Sequence, residues 1–157
     1  MNDNHPMIGH VHLKVSDLDR SVKFYTEALG FDVMTTMEDS AAFLSFGGYH
    51  HHLGLNTWHS SGGPPSPRNA AGLYHFAILY PDRRSLARAV KRALGAGVTL
   101  DGASDHGVSE AIYLHDHDRN GIELYRDRPR EEWPHDGAGK LTMYTAALDL
   151  GALLAEA

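Results

Sequence analysis

The chain has 157 residues, 42% of them hydrophobic and 22% charged, with a formal net charge of −6. That suits one folded domain with its own core, and an acidic balance without a basic face counts against nucleic acid as a partner. Cysteine is absent, which excludes disulfides, thiolate metal sites and cysteine nucleophiles. The apolar runs are shorter than the ~20 residues that cross a bilayer, and the polar start Met1–Pro6 has no signal-peptide pattern, so no membrane and a cytoplasmic setting are expected.

In chain order, residues 8–15 alternate, with Val11, Leu13 and Val15 on one face and His10, His12 and Lys14 on the other. This predicts a half-buried strand. Ser16 and Asp17 offer N-cap oxygens, Leu18, Val22, Tyr25 and Leu29 form a helical stripe, and Gly30 stands where a left-handed cap residue belongs. Strands are expected over 31–37, 41–46 and 49–57. A Gly/Pro/Ser-rich stretch, 60–71, follows as a linker. The second half opens with a strand over 73–79. A helix begins after Pro81-Asp82, with Leu86, Ala89, Val90, Ala93 and Leu94 inward. Strands over 97–100, 109–114 and 121–126 complete it. A loop over 134–140 leads to a short amphipathic helix expected over 146–157.

The two halves repeat. A shift of 65 places His10 on His75, Asp17 on Asp82, Ala28 on Ala93, Leu29 on Leu94, Gly30 on Gly95 and Val33 on Val98. Each half reads βαβββ. The expectation is an α+β domain over 1–128, with modules at about 7–58 and 72–128 forming an open barrel around a cleft. A C-terminal extension, 129–157, carries the short helix.

Twelve histidines are unusual for this length, and their placement matters more than their number. Strand parity turns the helix-covered apolar face one way and the opposite residues towards the cleft. The cleft set includes His10 and His12 on the first strand, His75 and Ala77 on the fifth, and Glu123 and Tyr125 on the last. Glu123 lies between Ile122 and Leu124, where a lone carboxylate would be costly. Two imidazoles and one carboxylate suit a divalent first-row metal and leave positions open for substrate and dioxygen. His10, His75 and Glu123 are the expected ligands. His5, His59, His115, His117 and His135 are read as surface residues.

These residues also carry a resemblance. The stretches 8–17, Phe24-Tyr25, Leu29-Gly30-Phe31, 73–77 and 120–125 resemble the vicinal oxygen chelate superfamily, which holds glyoxalase I, bleomycin and fosfomycin resistance proteins, methylmalonyl-CoA epimerase and extradiol dioxygenases. Within it, 47–58 and 101–113 resemble the catechol 2,3-dioxygenase-like branch. The resemblance implies an Fe(II) enzyme, with Mn(II) the alternative, that opens a catechol-type aromatic ring with dioxygen. It also implies a homodimer. His52 or His50 would be the acid–base histidine, Tyr113 a hydrogen-bond donor to bound substrate, and His106 a further histidine near the metal. Glyoxalase I members use a fourth ligand, a glutamate on the last strand of the first half, whereas this chain has no acid between Asp39 and Ala71. One alignment instead sets His52 against Glu123, which would make His52 a fourth ligand. Parity puts His50 and His52 on the cleft face and His51 on the other. The alternatives are a metal-dependent isomerase, lyase or thiol transferase, and an antibiotic-sequestering protein of the same fold.

Overall fold

The structure, a computed structural model, describes residues 6–157. The surface reading of His5 and nearly all of the Met1–Pro6 segment lie outside the described residues. The chain divides into two compact units, Met1–Pro67 and Arg68–Ala157.

In the first unit, β1 (Val11–Lys14) leads into α1 (Leu18–Lys23) and a wide helical turn (Phe24–Ala28), followed by β2 (Asp32–Met37), β3 (Ala41–Ser45) and β4 (Leu53–Asn56). The sheet order is β1-β4-β3-β2. β1 pairs with β4 in parallel, with Val11 opposite Leu53 and Leu13 opposite Leu55. Asp17 caps α1 by accepting the Arg20 amide at 3.0 Å. The helix then widens at Phe24, so Phe24 and Tyr25, adjacent in sequence, are both buried with Ala28 and Leu29. The expected stripe through Leu18 and Val22 is only half-buried. Gly30 takes the left-handed conformation expected of it. Leu13, Val15, Leu44, Leu53 and Leu55 complete this core.

The second unit repeats the plan. β5 (Phe76–Leu79), α2 (Arg83–Gly95), β6 (Leu100–Asp105), β7 (Ser109–His115) and β8 (Gly121–Asp127) are followed by a short turn (Arg130–Glu132), β9 (Ala146–Ala147) and α3 (Leu150–Leu154). The sheet order is β5-β8-β7-β6-β9, again with a parallel first pair. Leu86, Val90 and Ala93 on α2 close over Ile112, Leu114, Ile122 and Leu124, all fully or almost fully buried. Glu110 lies on this helix-covered side yet is nearly buried. It is held by Arg83 and Arg126 at 2.9 Å and by Arg128 at 3.2 Å. An acid buried this way persists because its charge is matched on several sides.

The fold is therefore α+β, with two open sheets of the βαβββ plan. Two expected elements move. The strand placed over 97–100 is found at Leu100–Asp105. Gly97 (φ 81°) is still closing α2, and β6 takes its register from β7, with Leu100 opposite Leu114 and Asp105 opposite Glu110. The helix expected over 146–157 is split, because Ala146–Ala147 add as a strand to β6 and only Leu150–Leu154 are helical. Asp149 caps that helix by accepting the Ala152 amide.

Candidate metal centre

Glu123 sits in the middle of β8, with buried Ile122 and Leu124 on one face and its own carboxylate on the other. In the β5–β8 ladder, Ala77 stands opposite Glu123 and Phe76 opposite Ile122, so His75 enters one residue before the first paired position. Its Nε2 lies 3.0 Å from Glu123 Oε2. Gly121 makes this approach possible. A Cβ there would meet the Tyr74 carbonyl oxygen at 2.1 Å and His75 Cβ at 3.1 Å.

From Glu123 a chain of polar groups runs outward. The Tyr113 hydroxyl is 3.3 Å from Glu123 Oε1 and 2.7 Å from His106 Nε2. His106 Nδ1 is 2.9 Å from the Tyr144 carbonyl oxygen. Burial first, and then the Glu123 carboxylate, push the Tyr113 hydroxyl up to about 12. At neutral pH it therefore keeps its proton and is available as a donor. A concavity of about 410 Å³ opens beside His75 and Tyr113 and is also lined by Arg68, Tyr74, Arg119 and Gly121. That is the size range of small-molecule sites.

In the first unit the histidines form a cluster. The His10 ring lies 4.4 Å from that of His51, which also packs against Phe43 at 5.2 Å. His50 Nδ1 is 2.7 Å from His51 Nδ1. His52 bonds through Nδ1 to Ser45 Oγ at 2.8 Å and accepts the Phe46 amide at 3.3 Å. That leaves the ring proton of neutral His52 on Nε2. His12 lies over Gly54, whose added Cβ would meet the ring at 2.8 Å, and is flanked by Phe43 and Trp58. Burial and then neighbouring His10 lower the pKa of His12, and burial followed by the other histidines lowers that of His51.

One expectation is corrected here. His51 does not point away from the cluster. β4 begins only at Leu53, and 50–52 form a bend after the left-handed Gly47 and Gly48. Strand alternation therefore does not reach these residues, and His51 packs on the same side as His10. His51 is the neighbour of His10 that parity places on the other face, whereas His12 belongs to the cleft-facing set. The surface histidines are as expected: His59, His115, His117 and His135 are exposed, and His115 pairs with Asp101 at 2.8 Å.

The ladders also decide which residue corresponds to Glu123. Val11 faces Leu53 in the first unit and Phe76 faces Ile122 in the second. With Val11 equivalent to Phe76 under the 65-residue repeat, the counterpart of Glu123 is Gly54, and His52 corresponds to Gly121. The alignment that set His52 against Glu123 is two residues out of register.

The structure thus brings together His75, Glu123, Tyr113 and His106 in the second unit, and His10 with His51, His50 and His12 in the first. Among the described residues, no three His, Asp or Glu side chains form a ready-made metal cage. The donor chemistry on β5 and β8 nevertheless fits a divalent ion. An imidazole and a carboxylate share one face, with the Tyr113 oxygen 3.3 Å from the carboxylate.

This arrangement defines a class. Residues 7–124 match the Glyoxalase/Bleomycin resistance protein/Dioxygenase superfamily, and the chain belongs to it. Among curated relatives it is 44% identical to a catechol-2,3-dioxygenase of Bacillus subtilis (strain 168), over 96% of this chain and 52% of that protein. It is 30% identical to a probable lactoylglutathione lyase of Vibrio parahaemolyticus, over 77% of this chain and 91% of that protein. The chain spans about half the length of the first of these relatives. A glyoxylase/bleomycin resistance protein/dioxygenase domain from Frankia sp. EAN1pec shares the fold, with a TM-score of 0.63, 23% identity, and coverage of 80% of this chain and 100% of that one.

Proposed function

We propose that this chain is an extradiol dioxygenase module acting on a catechol-type aromatic substrate. In this reading Fe(II), or alternatively Mn(II), is held by His75 and Glu123, with His10 as third ligand. The observation that carries the reading is Gly54. The position equivalent to Glu123 in the first module has no side chain, so the fourth carboxylate expected of a glyoxalase I-like site is missing where it would stand. A bound metal of this kind supplies Lewis acidity towards a two-oxygen ligand and open positions for dioxygen.

The chain's own residues supply the rest. Tyr113 holds a hydroxyl beside Glu123, placed to meet a substrate oxygen, and His106 backs it. His52 and His50 remain the proposed acid–base candidates, and His51 joins them by its position against His10. The 44% identity to a catechol-2,3-dioxygenase supports the same chemistry. A second reading, a lyase or isomerase, is favoured by the match over 91% of the Vibrio protein. Association as a homodimer is part of the proposal. β2 is an edge strand whose Val33, Met34 and Met37 are exposed, a surface that sheet proteins usually cover. No helix among the described residues is long and apolar enough to cross a membrane; a cytoplasmic setting is retained as part of the proposal.

The test is anaerobic loading with Fe(II), then a panel of catechols in air, with absorbance of the ring-opened product as readout. The hemithioacetal of methylglyoxal and glutathione, with Ni(II) or Zn(II), is the parallel arm. Ring opening supports the proposal. Turnover only in the second arm replaces it with the lyase reading.

A further inference from the structure

We propose that the C-terminal segment 134–147 is a positioning strap that fixes His106 in its Nδ1–H tautomer, making Nε2 the proton acceptor for Tyr113. This segment lies beyond the superfamily-matched residues, which end at 124.

The Tyr144 carbonyl oxygen faces His106 Nδ1. A carbonyl oxygen only accepts, so the contact at 2.9 Å places a proton on His106 Nδ1. In a neutral ring Nε2 then carries the lone pair. That nitrogen is 2.7 Å from the Tyr113 oxygen, whereas Glu123 Oε1 is 3.3 Å away. Tyr113 has one hydroxyl proton and two acceptors, and the shorter distance assigns it to His106. The Tyr113 lone pairs are then left to face the neighbourhood of Glu123.

The strap has several independent anchors. The Tyr144 amide donates to the His106 carbonyl at 3.4 Å, so Tyr144 grips His106 by both backbone and ring. Ala146 and Ala147 pair with Asp105 and Ser104 of β6. Gly107, at φ 77°, lies flush against the strap. A Cβ there would meet Tyr144 Cε1 at 2.6 Å and Pro134 Cγ at 2.9 Å. Below the turn, the Asp105 carboxylate accepts from the Gly107 amide at 2.8 Å and from Arg128 at 2.7 Å. The turn carrying His106 is therefore pinned from below by Arg128 and from above by Tyr144.

The consequence rests on the function proposed above. A substrate hydroxyl beside Glu123 passes its proton to the Tyr113 oxygen as Tyr113 passes its own to His106 Nε2. The products are a substrate anion, an intact tyrosine and an imidazolium still donating through Nδ1 to Tyr144. The opposite tautomer has no lone pair at Nε2 and blocks this relay.

The test reads the tautomer directly. Histidine is labelled with ¹⁵N, His106 is assigned by comparison with His106→Gln, and the ring nitrogens are recorded at pH 8 without metal. The expected result is a protonated Nδ1 and an unprotonated Nε2, whatever the protein's activity. A protonated Nε2 overturns the proposal. In Gly107→Ala, whose new methyl group pushes the strap away, the His106 signals are expected to move to the Nε2–H form that predominates in water. Adding Tyr144→Ala and Pro134→Ala removes the obstructing atoms but also loosens the strap, so the Nε2–H form is expected to persist there. An unchanged Nδ1–H signal in both variants, with native far-ultraviolet circular dichroism, overturns the role of the strap. Because the readout needs neither iron nor catechol, failure of the dioxygenase reading leaves this result interpretable.

Discussion

The two modules share a fold but treat their polar residues in different ways. In the second, a carboxylate in mid-strand anchors an ordered chain, His75–Glu123–Tyr113–His106–Tyr144, each link set by a neighbouring strand or the C-terminal segment. In the first, the equivalent strand position is Gly54, and His10, just before β1, packs at a tilt against His51 of the bend, which in turn meets His50. A strand ladder fixes a side chain's direction, whereas a glycine-led bend leaves it to local packing. The same strand plan thus carries an ordered polar chain in one module and a cluster of imidazoles in the other.

The sharpest way to break this comparison is to remove the acid. Glu123→Ala and His75→Ala should each weaken divalent metal binding by at least ~100-fold, and His10→Ala should do likewise as the contribution of the first module. Metal content by elemental analysis and competition with a chelating dye checks this. Full occupancy in His10→Ala would confine the metal to the second module.

Next in size is the histidine bend. Removing the acid–base residue should cost about 10²–10⁴ in turnover with iron retained. Alternation extended from the sequence would single out His52, but residues 50–52 lie before β4, and the packing of His51 on His10 brings it into the same group. Iron content and rate, measured on one preparation each of His50→Ala, His51→Ala and His52→Ala, separate the three. A loss confined to His52 keeps the parity assignment. A loss confined to His51 transfers the role.

The glycines give a smaller and purely structural contrast. Gly121→Ala drives a methyl group into a backbone carbonyl beside His75, and Gly54→Ala drives one into the ring of His12, which can swing away. The first should destabilise by about 1–3 kcal/mol and the second by less than about 1 kcal/mol. Urea unfolding of both variants decides, and equal losses would mean that the His12 ring is as fixed as backbone.

A change of comparable size concerns Tyr80, the repeat counterpart of Val15. Both amides donate at 2.8 Å to the closing strand, to Tyr125 and Asn56 respectively. Val15 is apolar, whereas the Tyr80 hydroxyl is buried with no partner among the described residues. Tyr80→Phe should therefore stabilise by about 1 kcal/mol. Burial pushes this hydroxyl up to about 12. The folded state then holds a proton that the unfolded chain releases near pH 10, so stability is level below pH 10 and falls as pH rises towards 12. The phenylalanine variant should lose that part of the alkaline sensitivity.

Much of the scaffold was legible because it is periodic. The 65-residue repeat, the alternation around His10 and Glu123, and the caps at Asp17 and Asp82 all express themselves within a few residues of sequence. What was not legible depends on distant partners. β6 reads Leu-Asp-Gly-Ala-Ser-Asp, with little strand character of its own, and becomes a strand because β7 and β9 flank it. His51 was misplaced because alternation was extended into residues that are not a strand. Tyr144 gave no sign, because it acts through a backbone carbonyl that every residue possesses.

Gly54 carries a consequence on another scale. Every glycine codon becomes an aspartate or glutamate codon by a single base change. Under the three-donor set proposed above, the step to a four-donor set is therefore one of the shortest available to this gene. In this protein that step would meet the His12 imidazole, which occupies the space above the strand where the new side chain would extend. His12 and Gly54 are thus coupled positions: any side chain added to β4 here meets the imidazole first, and the ring must turn to admit it.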